Sequence, residues 1–261
     1  MTAGSRARVL GDTRRAKILD WLQEEGSARV RTLAEAFEVS EVTIRQDLEK
    51  LEADGHIARE HGGAFLKSVT RQVRAMVLQH RENMDAKQRI GHAAAALTTD
   101  GETIILDSGS TTTEVAQHLI GRRDMTVITN ALNIALMLGA EPGFDVHMTG
   151  GHFKAPTLSL SGERSADYFR GLFVQKLFLA TAAIDLEVGL TYPAISDIPV
   201  KRAMIDAADK VILVADSSKI GRRSFSALGG IGLVHLLITD DAIKAEDRAA
   251  IEAAGVEVLI A

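Results

Sequence analysis

From residue 82 onward, short continuous apolar runs alternate with stretches of helical period, and this alternation constrains the fold most. Helix 85–97 leads into an apolar run at 103–107 (TIILD), and a helix follows through about 120. The runs 125–129, 144–148, 176–181, 210–215, 234–239 and 256–260 continue the series, with helices expected to about 138 and over 199–208 and 242–254. Strands that are apolar on both faces belong to a parallel sheet covered by helices on each side. The expected fold class is therefore α/β, with a Rossmann-like parallel-sheet domain over 82–261.

Ligands of such sheets bind beyond the carboxyl ends of the strands. Polar clusters sit at those ends in this chain. Asp107, Ser108, Gly109, Ser110, Thr111 and Thr112 follow the first strand and open a helix, whose N-terminus attracts an anion such as phosphate. Asn130 ends the next strand, and Gly150 and Gly151 end the one after. Segment 186–199, with two prolines and a tyrosine, fits either a lid over that site or an oligomer contact.

The first sixty residues read differently. Residues 13–24 carry an apolar stripe of Ile18, Leu19, Trp21 and Leu22, and Gly26 is a helix stop. A short helix is expected over 32–38, opened by a Thr32–Glu35 capping box. Ser40 suits the N-cap of a third helix over 41–53. On that helix Ile44, Leu48 and Leu51 fall within about 60° of one another at 100° per residue. The opposite face, centred on Gln46, presents Thr43, Arg45 and Lys50, groups able to meet base edges and phosphates in a major groove. This is helix-turn-helix geometry. Arg59, His61, Gly62 and Gly63 then fall in two short extended pieces around a Gly-Gly turn, a wing able to approach the DNA backbone.

Charge divides the chain the same way. Residues 1–81 carry 14 Lys+Arg against 12 Asp+Glu, and residues 82–261 carry 16 against 23. A slightly basic module on an acidic body suits an anionic partner for the module. There is no cysteine, which excludes disulfides and thiolate chemistry. The five histidines of the larger part, His92, His118, His147, His152 and His235, share no metal spacing, so no metal and no cofactor are expected. The first 25 residues show no secretory pattern, and no stretch approaches the ~18 apolar residues of a membrane span. A cytoplasmic location is the expectation.

The run SEVTIRQDLEKLEADGHIAREHGGA (40–64) strongly resembles the DeoR-type bacterial transcriptional regulators, with their Ser-x-x-Thr-Ile-Arg-Arg-Asp-Leu recognition helix and Arg-x-His-Gly-Gly-Ala wing. Gln46 replaces the second arginine of that pair, which bears on operator sequence, since glutamine favours adenine edges. Further matching motifs are LDSGSTTTEVAQHL (106–119), VITNALNIA (127–135), MTGG (148–151), SLSG (159–162), AIDLEVGL (183–190) and ILVADSSKIGRRSF (212–225).

The resemblance implies three segments. They are a winged helix-turn-helix domain (1–66), a linker (67–81) and a sensor domain of sugar-phosphate isomerase type (82–261). It implies a repressor of a carbohydrate operon that binds double-stranded operator DNA as a homo-oligomer, dimer or tetramer, and responds to a phosphorylated sugar. Ser40, Thr43, Arg45, Gln46, Lys50, Arg59, His61, Gly62 and Gly63 would contact DNA. Asp107 through Thr112, Asn130, Gly150 and Gly151 would hold the effector, with Asp185 bonding hydroxyls and Lys201 or Lys219 neutralising phosphate.

Two other readings compete. A sugar-phosphate isomerase with an appended DNA-binding segment would need a base such as Asp185 or Glu187. A constitutive DNA binder would have lost its ligand. The expectation is no catalytic residue and no enzyme.

Overall fold

The computed structural model describes residues 11, 13–22, 27–60, 63–66 and 82–261. The chain divides into two units, Met1–Leu78 and Gln79–Ala261.

The first unit contains α1 (13–22), β1 (Ser27–Arg29), α2 (Val30–Ala36), α3 (Glu41–Ala53), β2 (Ile57–Glu60) and β3 (Gly63–Leu66). The strands form an antiparallel sheet in the order β1-β3-β2. Its core is Ile18 and Leu22 of α1, Leu33 of α2, Ile44, Leu48 and Leu51 of α3, and Ile57 of the wing. The stripe read from the sequence on the third helix is thus its buried face. Ser40 caps α3 as expected, its Oγ accepting from the Thr43 amide at 3.2 Å.

The Thr32–Glu35 capping box does not form. Helix α2 begins two residues earlier, with Arg29 at the N-cap and no side-chain cap bond, and Glu35 accepts from Arg31 at 2.9 Å instead. The wing has the two expected strands, while its turn residues His61 and Gly62, and the linker 67–81, lie outside the described residues. Gly63 has a packing reason to lack a side chain, because a Cβ there would lie 2.8 Å from the Ala28 carbonyl oxygen on β1.

One polar contact ties α3 to α1. Asp47 is 4% exposed and accepts from Arg14 Nε at 2.6 Å and Arg15 Nη1 at 3.0 Å. A buried carboxylate is tolerated only when paired in this way.

The second unit runs α4 (Met84–Ala95), β4 (Thr103–Leu106), α5 (Ser110–Leu119), β5 (Met125–Thr129), α6 (Leu132–Gly139) and β6 (Phe144–Met148). A hairpin of β7 (His152–Lys154) and β8 (Ser159–Ser161) follows, then α7 (Glu163–Asp167) and β9 (Val174–Leu179). Next come β10 (Ala183–Asp185), β11 (Gly189–Tyr192), α8 (Ile198–Asp206), β12 (Ala208–Val214) and β13 (Ser226–Gly229). The unit ends with β14 (Leu236–Thr239), α9 (Ala245–Ala253) and β15 (Glu257–Ile260).

Seven strands form one parallel sheet in the order β15-β14-β12-β9-β4-β5-β6. Alternate residues feed two separate cores. Ile105, Leu177, Leu179 and Leu213 meet Val200 and Met204 of α8, while Ile104, Leu106, Phe178 and Ile212 meet Ile90 of α4 and Val115 of α5. Burial on both faces is the reason the strands read as unbroken apolar runs.

A second, antiparallel sheet has the order β10-β11-β13. Its middle strand, all four residues buried, lies inside segment 186–199. That segment is therefore part of the packed body at Gly189–Tyr192, and it reaches the cavity described below through Tyr192, Pro193 and Asp197.

The Asp47 contact generates a stability prediction. Asp47→Ala removes the carboxylate that Arg14 and Arg15 share and should lower the stability of the first unit by on the order of 1–3 kcal/mol, read by thermal unfolding of the full chain. An unchanged melting curve would show that the α1–α3 contact rests on apolar packing alone.

Candidate DNA interface and effector cavity

On the first unit, Thr43, Gln46 and Lys50 share a concave surface of about 420 Å³ with Arg14 and Arg15. Arg45 and Gln46 are exposed on α3, and Ser40 is exposed at its start. This surface offers hydroxyl, amide, ammonium and guanidinium groups, the set needed for base edges and phosphates. Arg14 and Arg15 were missing from the sequence-based set. The basic run at 14–17 was their only local sign.

Two of the expected DNA-contacting arginines already have partners. Arg45 Nη2 donates to Glu41 Oε2 at 2.6 Å along one turn of α3. Arg59 donates through Nε to Glu52 Oε2 at 2.7 Å and through Nη1 to Glu49 Oε1 at 3.1 Å. Exposed pairs of this kind contribute little, about 0–1 kcal/mol, so a phosphate can replace the carboxylates at small cost.

On the second unit, a cavity of about 180 Å³ opens beyond the carboxyl ends of β4, β9 and β12. Ser108, Gly109, Ser110 and Thr111 form one wall. This loop enters α5 tightly: Thr112 Oγ1 and Thr113 Oγ1 both donate to the Gly109 carbonyl, at 3.0 and 2.7 Å. The bonds turn both hydroxyls back onto the Gly109 carbonyl, no side chain of the N-cap residue caps the helix, and the first amides of a helix have no intrahelical partner. A Cβ at Gly109 would lie 2.7 Å from the Ala180 methyl, so the close approach of loop and β9 requires glycine.

Behind the loop, Asp107 is fully buried. Its carboxylate accepts from the Ser108 amide at 2.6 Å, from the Ala180 amide at 3.0 Å, and from Lys201 Nζ on α8. Burial pushes the Asp107 carboxyl above the usual carboxylate range, and the Lys201 ammonium and the two amides pull it back. Tyr192 seals this corner. Its hydroxyl donates to the Ala180 carbonyl at 2.7 Å, its ring lies 5.5 Å from Lys201 Nζ, and burial holds its phenol well above its ordinary pKa.

Of the twelve effector residues expected from sequence, six line the cavity: Ser108, Gly109, Ser110, Thr111, Lys201 and Lys219. Lys201 lines the cavity but is 4% exposed and pairs with Asp107, so its charge is already shared with a buried carboxylate. Lys219 remains: among the described residues its ammonium pairs with no carboxylate. Thr112 and Asp107 stand behind the loop rather than at the cavity surface.

Asn130 braces the cavity wall without lining it. Its Nδ2 donates to the Leu160 carbonyl at 3.0 Å and approaches Ser108 Oγ at 3.5 Å. Gly150 and Gly151 are the entry to the β7–β8 hairpin. At Gly151, with φ +124°, a Cβ would lie 2.7 Å from the Ser161 carbonyl oxygen.

Asp185 lies away from the cavity lining, in the second sheet. Its carboxylate accepts from Arg223 at 2.8 Å and from the Glu187 and Val188 amides at 2.9 and 3.0 Å, and the Arg223 bond holds it far below the usual carboxylate range. Glu187 is exposed and faces the same arginine at 3.2 Å. Neither candidate base of the isomerase reading thus lines the cavity.

The cavity also contains Lys154, Thr157 and Thr181, which the sequence did not single out, together with Ser159 of the 159–162 motif and Tyr192 and Asp197 of segment 186–199. Among the described residues no group of three His, Asp or Glu side chains could hold a metal ion, and no helix is long and apolar enough to cross a membrane.

Comparison with known proteins bears on both surfaces. The DeoR-like helix-turn-helix domain model matches residues 14–70, and the DeoR C terminal sensor domain model matches residues 82–241. The HTH-type transcriptional regulator GlpR of Haloferax volcanii is 33% identical over 96% of this chain and 98% of its own. The HTH-type transcriptional repressor GlcR of Bacillus subtilis is 32% identical over 95% and 96%. A solved ribose 5 phosphate isomerase A from Neisseria gonorrhoeae overlaps 51% of this chain and 52% of its own at 12% identity, with a TM-score of 0.38, too loose a likeness to carry an argument. With both domain models matched in order and relatives aligned nearly end to end, the chain belongs to the DeoR family of helix-turn-helix transcriptional regulators.

Proposed function

We propose that this regulator represses a carbohydrate-use operon and leaves its operator when a phosphorylated sugar enters the cavity of the second unit. The observation that carries the reading is the conjunction of the Ser108–Thr111 loop with an uncompensated Lys219 at one cavity. A phosphate monoester brings about −1.5 to −2 charges, and first-turn amides, hydroxyls and one free ammonium are the groups that bind it. Repression as the direction of control is supported by relatives such as GlcR, whose name is that of a transcriptional repressor, and a sugar operon as its object follows from the effector proposed for the cavity.

In this reading α3 enters the major groove, with Thr43, Arg45 and Gln46 at base edges. Ser40, Lys50, Arg59 and the wing residues His61, Gly62 and Gly63 hold the backbone. A homo-oligomer, dimer or tetramer, would place two such helices roughly 34 Å apart on successive half-sites. The domain limits we assign are 1–66, 67–81 and 82–261. Effector binding shifts the population toward a geometry that no longer fits both half-sites, with a coupling of typically about 1–3 kcal/mol. The chain acts by binding and carries out no catalysis.

Two substitutions separate the two halves of the proposal. On duplexes selected by the protein from a random pool, Arg45→Ala should lose on the order of 1–3 kcal/mol of specific affinity while non-specific binding changes little. Unchanged discrimination would remove Arg45 from the base-reading set. Thr111→Asp places a carboxylate in the phosphate loop. It should keep operator affinity and lose the response to every phosphorylated sugar, measured by fluorescence anisotropy; a retained response would move the effector elsewhere.

A further inference from the structure

The cavity lining carries two chemically different sets of groups. Loop 108–111 and Lys219 are cationic and hydroxyl-bearing and suit phosphate. Besides them, Lys154 at the close of β7 donates through Nζ to Asp197 Oδ1, just before α8, at 2.5 Å. The two side chains are only 17% and 13% exposed, and they come from positions 43 residues apart.

The pair is electrically neutral but far from saturated. The ammonium has three donors and the carboxylate about four acceptor sites, and their mutual bond uses one of each. Part-buried charges of this kind are costly to separate unless a replacement partner arrives with equal geometry. A sugar hydroxyl both donates and accepts, so it can give its proton to Asp197 while receiving from Lys154, and the ion pair stays intact. A second anionic group has no such option. It would draw Lys154 away and leave Asp197 negative beside another negative charge. An apolar group would cover unfilled polar capacity without replacing it.

We propose that the Lys154–Asp197 pair reads the sugar part of the effector, and selects an uncharged polyhydroxyl chain or ring. The effector class is then a neutral sugar monophosphate, discriminated from sugar bisphosphates, phosphorylated sugar acids and inorganic phosphate. This rests on the proposed function, because it takes the phosphate to lie at the 108–111 loop.

The test uses the full chain, with thermal shift and anisotropy titrations against five probes: inorganic phosphate, ribose 5-phosphate, glucose 6-phosphate, 6-phosphogluconate and fructose 1,6-bisphosphate. Wild type should bind at least one of the two neutral monophosphates at least about tenfold more tightly than the other three probes. Asp197→Asn should erase that advantage, a loss of about tenfold or more for one charged hydrogen-bond partner. Its weak response to inorganic phosphate should be unchanged. The double variant Lys154→Met/Asp197→Leu removes both charges, leaves none buried and unpaired, and should show the same loss should the single variant fold poorly. Variants with the wild-type preference would overturn the inference alone, as would a wild type that prefers 6-phosphogluconate or the bisphosphate. A wild type unmoved by all five probes would overturn the phosphate-site reading as well.

Discussion

The buried contact between Asp107 and Lys201 is the constraint on which the sensor unit depends. Asp107 follows β4 in the middle of the seven-stranded sheet, and its carboxylate gathers the Ser108 amide, the Ala180 amide and the Lys201 ammonium at one point. Those three groups belong to the 108–111 loop, the end of β9 and helix α8. Removing either charge would leave the other buried and unpaired, a cost of about 3–5 kcal/mol. The loop is thus set before any ligand arrives, so little ordering entropy is spent on binding. The same pairing explains why net positive charge at the cavity is left to Lys219, and α8 carries in sequence both the Lys201 that fixes the loop and, one residue before its start, the Asp197 that faces Lys154.

Charge is managed by the opposite rule on the DNA-binding unit. Asp47, buried, is held by Arg14 and Arg15 and fixes the position of α3 against α1. Arg45 and Arg59, exposed, are held by glutamates of α3 through pairs that are weak in water and further screened by salt. In the proposed reading, polyanionic DNA competes for those two arginines while leaving the buried contact untouched. A net charge of −5 over the whole chain is consistent with this role, since the charges that matter are local.

The features legible in the sequence were those with a local period or a local motif. Helix α3 was expected over 41–53 and has those limits, because a three-residue apolar stripe and a capping serine define it without reference to the rest of the fold. The parallel strands were legible because burial on both faces leaves an unbroken apolar run. Strands β1 and β10 have three residues each, too short for any period, and were not anticipated. The burial of Lys201 and its pairing with Asp107 are not legible in the sequence, which does not separate a buried lysine from an exposed one. Its partner lies 94 residues away. Asp185 and its turn form a local unit with Arg223, which a motif alone does not reveal. Lys154 belongs to no motif and Asp197 only to the candidate lid segment 186–199; the fold alone shows that they pair.

The central claim is that a phosphate-bearing sugar, recognised in the second unit, controls DNA binding by the first. The most direct measurement is anisotropy of a labelled operator duplex bound to the full chain, titrated in parallel with phosphorylated sugars and with the same sugars lacking phosphate. The account predicts release by at least one phosphorylated form, with its free counterpart silent at equal concentration. Release by the free sugar at the same concentration, or a duplex that stays bound through the whole series, would contradict it.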